Sequence, residues 1–241
     1  MKNKNWIAPD WPAPPNVRAL ITTRSGGVSR GPYASMNPAD HVGDDQQVVK
    51  QNRTLLRSQL PSEPFWLTQV HGEVVAQADI GPVEADACIA RVPKQVCVVL
   101  TADCLPVLFC AADGSVVGAA HAGWRGLCTG VLERTVAAMG VPGQHILAYL
   151  GPAIGPRAFE VGAEVREAFM ALDNAAADAF VPHANGKYLA DLYLLARQRL
   201  AKVGVTQVYG GGECTYHDAE RFFSYRRDGA TGRMASLVWI S

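Results

Sequence analysis

Three apolar runs follow one another between residues 96 and 120, and they constrain the fold more than any other feature. Val96 to Thr101 (VCVVLT), Leu105 to Ala111 (LPVLFCA) and Ser115 to Ala120 (SVVGAA) contain no charged residue. A strand with one wet face alternates apolar and polar residues. A continuous apolar run of this length suits a strand covered on both faces. The turn Ala102-Asp103-Cys104 separates the first two runs, and the third leads directly into His121.

Other elements surround this centre. A short β-like run, Ala19 to Thr23, precedes the glycine loop Ser25 to Pro32. Asp45 to Gln59 has helical character and ends before Pro61. Phe65 to Val70 reads as a strand delivering His71. Gly126 to Met139 reads as one helix stopped by Gly140, and His145 to Leu150 as a strand closed by Gly151-Pro152. Glu160 to Leu172 and Tyr188 to Val203 read as amphipathic helices. Val205 to Tyr209 and Met234 to Ile240 complete the strands. Helices and strands intermix without strict alternation, so the expected class is α+β with mixed sheets rather than a doubly wound sheet. With 241 residues and no repeat or long linker, residues 1–241 are expected to form a single domain.

Charge excludes some functions. Lys plus Arg equals Asp plus Glu at 22 each, so no basic field exists to gather nucleic acid or anionic lipid. No stretch reaches the roughly 18 apolar residues of a membrane span. Met1-Lys2-Asn3-Lys4-Asn5-Trp6 lacks a signal-like apolar segment, so a cytoplasmic location is expected. The six cysteines, Cys88, Cys97, Cys104, Cys110, Cys128 and Cys214, lie mostly in apolar runs and include no CxxC pair. Reduced thiols are expected, not disulfides or a closed zinc knuckle.

Chemistry concentrates at three places. Gln69-Val70-His71-Gly72 places an imidazole at a strand end. Thr101-Ala102-Asp103-Cys104-Leu105-Pro106 places a thiol in a tight turn between buried strands. His121-Ala122-Gly123-Trp124-Arg125-Gly126 delivers a second imidazole just before a helix, whose free amides favour anions beside the Arg125 guanidinium. Two imidazoles and one thiolate, His71, His121 and Cys104, make a three-ligand zinc set with an open position for water or substrate. Such a site activates water at neutral pH. Ligands in three separate segments are not a motif by spacing alone. Ordinary surface histidines and a buried filler cysteine remain the competing reading. Arg24 with Ser25-Gly26-Gly27, and Phe222-Phe223-Ser224-Tyr225-Arg226-Arg227, are further candidates for holding an anion or a planar base.

The ordered segments together resemble the bacterial laccase-domain or YfiH-like family, also called multicopper polyphenol oxidoreductases and purine nucleoside phosphorylases. The matching pieces run from Thr22-Thr23-Arg24-Ser25-Gly26-Gly27-Val28-Ser29 through the three segments above. They continue with Ala85-Asp86-Ala87, Leu150-Gly151-Pro152-Ala153-Ile154-Gly155 and Phe159-Glu160-Val161-Gly162, and end at Phe223-Ser224-Tyr225-Arg226-Arg227. The resemblance implies a mixed-sheet α+β fold with outer helices, like that of certain bacterial toxin-type cysteine hydrolases. It implies His71, Cys104 and His121 as metal ligands. It also implies phosphorolysis of adenosine, inosine, guanosine and methylthioadenosine, with deamination of adenosine. A further implied role is peptidoglycan editing, the removal of a wrong L-serine from a UDP-muramyl precursor.

The older family label, copper-dependent phenol oxidation, is testable on the sequence. The chain has six histidines, His41, His71, His121, His145, His183 and His217, and no His-x-His pair. That is too few for a multicopper cluster, although Cu2+ could occupy a His/His/Cys site. The expected chemistry is therefore that of Zn2+ with small-molecule substrates: a purine nucleoside and phosphate, or the UDP-muramyl precursor. Arg125 or Arg226 is the expected phosphate ligand, and Asp103 the weaker candidate for orienting a ligand histidine. Cys104 as a metal-free nucleophile with His121 as base, and a non-enzymatic zinc-stabilised binding protein, are the alternatives.

Overall fold

A computed structural model describes residues 5–81 and 83–241. Residues 1–4, part of the segment on which the absence of a signal was read, lie outside them. The protein is α+β; among the described residues it has three sheets, with helices outside them. The largest sheet runs, in spatial order, Gln207–Gly210, Ile146–Leu150, Leu105–Ala111, Val117–Ala122, Ala87–Ala90 and Val75–Gln77. Its outer pairs are parallel and its inner pairs antiparallel. A second sheet runs Val17–Ile21, Met234–Ile240, Val96–Thr101 and Pro64–Phe65. A small third sheet joins Phe180–Pro182, Tyr188–Ala190 and Glu160–Val161.

Stacking of the two larger sheets accounts for the apolar runs. Leu105, Val107 and Phe109 face one way, into a core with Val131, Leu132 and Val136 of one helix and Leu195, Ala196 and Leu200 of another. Leu108 and Cys110 face the other way and pack between the sheets against Cys97, Val99 and Val238. Val96, Val98 and Leu100 form the outer face of the second sheet, under Leu56 and Leu60. Both middle strands are thus covered twice, as their lack of polar residues requires. The helix Gln46–Arg57 begins where the Asp45 side chain accepts from Gln47 N and Val48 N.

Several boundaries differ from the sequence expectation. The Val117–Ala122 strand runs two residues further than expected and includes His121. Of the expected 65–70 strand only Phe65 lies in a strand, Pro64–Phe65, while Thr68 makes an isolated bridge with Glu84. Tyr188–Ala190 is a strand, and the helix that follows is Leu192–Lys202, started by Asp191 accepting from Leu194 N. Glu160–Val161 is likewise a strand, and its helix is Ala163–Met170. These segments kept an apolar pattern across the cap, which hid the change of element. The expected helix 126–139 is two helices, Trp124–Thr129 and Val131–Met139, broken at Gly130 with φ 112°. Gly140 stops the second, in left-handed geometry. All six cysteines are free thiols. No helix among the described residues is long and apolar enough to cross a membrane.

Gly130 gives a direct test of the helix break. In a helix interior, Gly→Ala stabilises by roughly 1 kcal/mol. At the observed left-handed φ, Gly130→Ala is expected to destabilise by about 1–2 kcal/mol. Urea unfolding followed by circular dichroism reads the sign, and a gain in stability would contradict the break.

Candidate metal centre

The antiparallel pairing of Leu105–Ala111 with Val117–Ala122 sets Leu105 opposite Ala122 and Pro106 opposite His121. Cys104, one residue before the first strand, therefore lies at the same sheet end as His121. The turn that delivers it includes Asp103 at φ 88°. His71 reaches this point from an irregular segment, with its own backbone at φ 61°. The ligating atoms of His71, Cys104 and His121 all lie within 4.8 Å of one another. Cys104 Sγ is 3.8 Å from His71 Nε2. The two imidazoles meet edge to face, with centroids 4.7 Å apart. The group could hold one metal ion, and no other cluster of three such residues occurs among the described residues.

Asp86 organises the group. Its side chain is fully buried. Oδ1 accepts from His121 Nδ1 at 2.8 Å and from His71 N at 2.9 Å. Oδ2 accepts from Gly72 N at 2.6 Å and Val70 N at 3.2 Å. Burial works against this carboxylate's charge, but the His121 bond and then the Gly72 amide outweigh it and hold its pKa below the ordinary value. Because Nδ1 of His121 is engaged, Nε2 is left for the cavity. Asp103 does not have the orienting role expected of it. It accepts from Thr215 Oγ1 at 2.6 Å and from Arg226 N at 2.7 Å, tying the C-terminal segment to the Cys104 turn. The sequence signal for Asp86 was a lone acid between alanines at the start of a buried strand.

The thiol and imidazole polarise each other. Burial would raise the Cys104 thiol, but His121's charge and its hydrogen bonds with His121 and His71 draw it down to about 6. Burial opposes charge on His121 as well. The Cys104 thiolate and the Asp86 hydrogen bond overcome this and raise it to about 9. Near neutral pH the metal-free pair is thiolate and imidazolium.

Close approach depends on Gly123. A Cβ there would lie 2.9 Å from His71 Cδ2 and 3.0 Å from Cys104 Sγ. Its φ of −62° is open to any residue, so the requirement is space rather than backbone freedom. Gly126 serves similarly, since a Cβ there would lie 2.7 Å from Gly72 O.

The arginines separate. A cavity of about 370 Å³ is lined by His71, Cys104 and His121 together with Thr101, Tyr225 and Arg233. Arg125 lies instead in a neighbouring cavity that His71 also lines, stacked over Trp124 at 4.6 Å. The Arg226 side chain donates to Glu160 O at 2.8 Å and packs over Phe159. Arg24 is spent on Ala34 O, Ala219 O and the Phe223 ring. Phe222 and Phe223, considered above as a base platform, are fully buried core residues. Tyr225 is 61% exposed and does line the cavity. Arg233 escaped the sequence reading because nothing near it marks a site; it stands one residue before the last strand.

The family described as Multi-copper polyphenol oxidoreductase laccase matches residues 18–241. A purine nucleoside phosphorylase of Pseudomonas aeruginosa is 57% identical over 237 residues, covering 98% of each chain. Purine nucleoside phosphorylase YfiH of Escherichia coli K12 is 57% identical over 239 residues, covering 97% of this chain and 98% of that one. A solved protein of Neisseria meningitidis superposes with TM-score 0.95 at 53% identity, covering 99% of this chain and 100% of that one. YlmD of Geobacillus stearothermophilus superposes with TM-score 0.89 at 29% identity, covering 100% of this chain and 97% of that one. The fold and these matches over nearly the whole length agree: the chain belongs to the laccase-like YfiH family.

Proposed function

We propose that the chain is a zinc-dependent purine nucleoside phosphorylase acting on adenosine, inosine, guanosine and methylthioadenosine, with deamination of adenosine at the same site. The observation that carries this reading is the convergence of His71, Cys104 and His121 on one cavity. Relatives 57% identical to the chain bear the phosphorylase name.

The residues fit the ion. Sulfur and nitrogen donors of one tetrahedral zinc lie roughly 3.5 Å apart, close to the 3.8 Å between Cys104 Sγ and His71 Nε2. A His/His/Cys set leaves one position free, the arrangement of catalytic rather than structural zinc. Asp86 behind His121 is the carboxylate–histidine pairing that fixes ring and tautomer. Bound zinc supplies Lewis acidity, lowering the pKa of water to about 7 and polarising substrate atoms. Copper has the higher intrinsic affinity for such donors, but one three-ligand group does not make a multicopper oxidase.

In phosphorolysis a phosphate oxygen bonds to ribose C1′ as the bond from C1′ to purine N9 breaks. The purine leaves with the electron pair and takes up a proton. In deamination water adds at C6 and ammonia leaves. A cavity of about 370 Å³ has the size of a small-ligand site. Gln69, although it lines the cavity, is occupied: its amide pairs in both directions with the Leu100 backbone at 2.8 and 2.7 Å.

One observation favours a second reading. Cys104, His121 and Asp86 also have the order of a nucleophile, base and orienting acid. That suits a thiol amidase, including one acting on a UDP-muramyl-L-serine precursor, without metal.

Purified, metal-quantified protein incubated with adenosine and phosphate is expected to yield adenine, ribose 1-phosphate and inosine by chromatography. Chelation is expected to abolish all products and zinc to restore them. A fully active metal-free protein inactivated by thiol alkylation would remove the zinc reading, and release of L-serine from the UDP-muramyl-L-serine precursor in a separate incubation would support the amidase.

Zinc affinity is expected to depend on pH with a definite sign. The ion needs thiolate and neutral imidazole. Between the Cys104 value of about 6 and the His121 value of about 9, the pair gives up one proton per zinc. From this pair, affinity therefore rises about tenfold per pH unit in that window, more steeply below pH 6, and levels off above pH 9. Calorimetry with a competing chelator measures the slope.

Gly123→Ala is expected to weaken zinc at least tenfold by pushing His71 from Cys104, with the unfolding midpoint of the metal-free protein little changed. Asp86→Asn is expected to cost 10–100-fold in zinc affinity and also to destabilise the metal-free fold. Zinc affinity unchanged from wild type in both variants would remove His71, Cys104 and His121 as the ligand set.

A further inference from the structure

Arg233 shares the cavity with His71, Cys104 and His121. Its guanidinium is held from one side only. Nη1 donates to Thr231 O and Gly232 O, both at 3.0 Å. Nε and Nη2 have no partner among the described residues, and neither is sealed inside protein. Among the described residues no carboxylate lies within ion-pair distance of Arg233, whereas Arg221 reaches Glu213 and Asp218, and Arg227 reaches Asp228.

The half-buried charge is under-compensated. Burial holds the Arg233 pKa below the ordinary guanidinium value, with Cys104 and then Asp103 opposing that effect. Asp103 already serves Thr215 and Arg226, and Cys104 is committed to the ion in the function proposed above. A guanidinium removed from bulk water favours an anion. Its free fork is suited to two parallel bonds to one phosphate or carboxylate.

The residue is also fixed at its base. Arg233 N donates to Asn37 Oδ1 at 3.1 Å. A Cβ on the preceding Gly232 would lie 2.7 Å from the Phe223 ring, so the backbone there is tightly enclosed. The Tyr225 ring lies 5.9 Å from the guanidinium carbon. A donor pair on so restrained a support is preorganised.

We propose that Arg233 binds the inorganic phosphate co-substrate, holding it through Nε and Nη2 in the cavity of the metal ligands. The role expected of Arg125 or Arg226 passes to Arg233, since of the three only Arg233 lines the cavity of the metal ligands, and Arg125 lines a different one. The assignment rests on the phosphorylase reading for its substrate and on the cavity geometry for its residue.

The test compares zinc-loaded wild type, Arg233→Met and Arg233→Lys, with thermal unfolding and zinc content checked for each. In inosine phosphorolysis, Arg233→Met is expected to raise the phosphate KM by about 10–100-fold, the loss of charge-assisted hydrogen bonds. Arg233→Lys should recover part of the loss. Adenosine deamination in phosphate-free buffer should fall at least tenfold less than phosphorolysis. An unchanged phosphate KM, or parallel loss of both reactions, overturns the proposal. If wild type shows no phosphorolysis, the phosphorylase reading fails, and calorimetry with inorganic phosphate on zinc-loaded protein decides the residue separately. Binding weakened tenfold or more in Arg233→Met supports it; binding equal in the two, or absent from wild type, overturns it.

Discussion

A buried carboxylate with four hydrogen-bond donors around it holds the functional end of this protein together. Asp86 binds the amides of residues 70, 71 and 72 and the His121 ring. Taking a carboxylate out of water costs several kcal/mol, recovered only with good geometry and saturated lone pairs. Three segments distant in sequence must therefore meet at one point: the loop of His71, the start of the Ala87–Ala90 strand and the Val117–Ala122 strand. The backbone adds to this, because His121 N donates to Asp86 O at 2.7 Å. The positions of both histidines follow from a residue that is not itself one of the three ligands.

The rest of the structure supplies a stiff support. Stacking two sheets and covering them with helices immobilises the strands that carry Cys104 and His121. Small residues then let a loop and a short helix approach the strand ends, Gly123 against the ligands and Gly126 against the loop. The ligands arise at strand ends and turns because a strand interior here is enclosed on both faces, with no route for substrate.

The same atoms could serve either of the two chemistries proposed. Without an ion, the Cys104 and His121 charges stabilise each other beside Asp86. With one, the imidazolium proton is displaced and both groups become ligands, so the ion competes with an internal ion pair. Arg233 adds a positive charge at the same cavity, which would favour an anionic substrate under either chemistry.

Much was legible in the sequence. The doubly apolar runs fixed Val96–Thr101 and Leu105–Ala111 to the residue, because continuous burial leaves no polar position to shift the frame. The α+β class followed from the order of elements, and His71, Cys104 and His121, which the fold brings together, were singled out chiefly by the family resemblance of the segments around them. Helix interruptions were less visible: Gly130 and Asp191 break patterns that stay apolar across the break. The orienting acid and the cavity arginine were not identified, since a carboxylate in Ala-Asp-Ala and a guanidinium in Gly-Arg-Met look ordinary until their surroundings are known. Sequence by itself determined which strands are covered on both faces and which donor types the chain offers, because burial and donor chemistry are local properties of residues. Tertiary structure decided that Asp86 rather than Asp103 reaches His121, and that Arg233 rather than Arg125 or Arg226 lines the cavity, because hydrogen bonds and charge compensation depend on which segments meet in space.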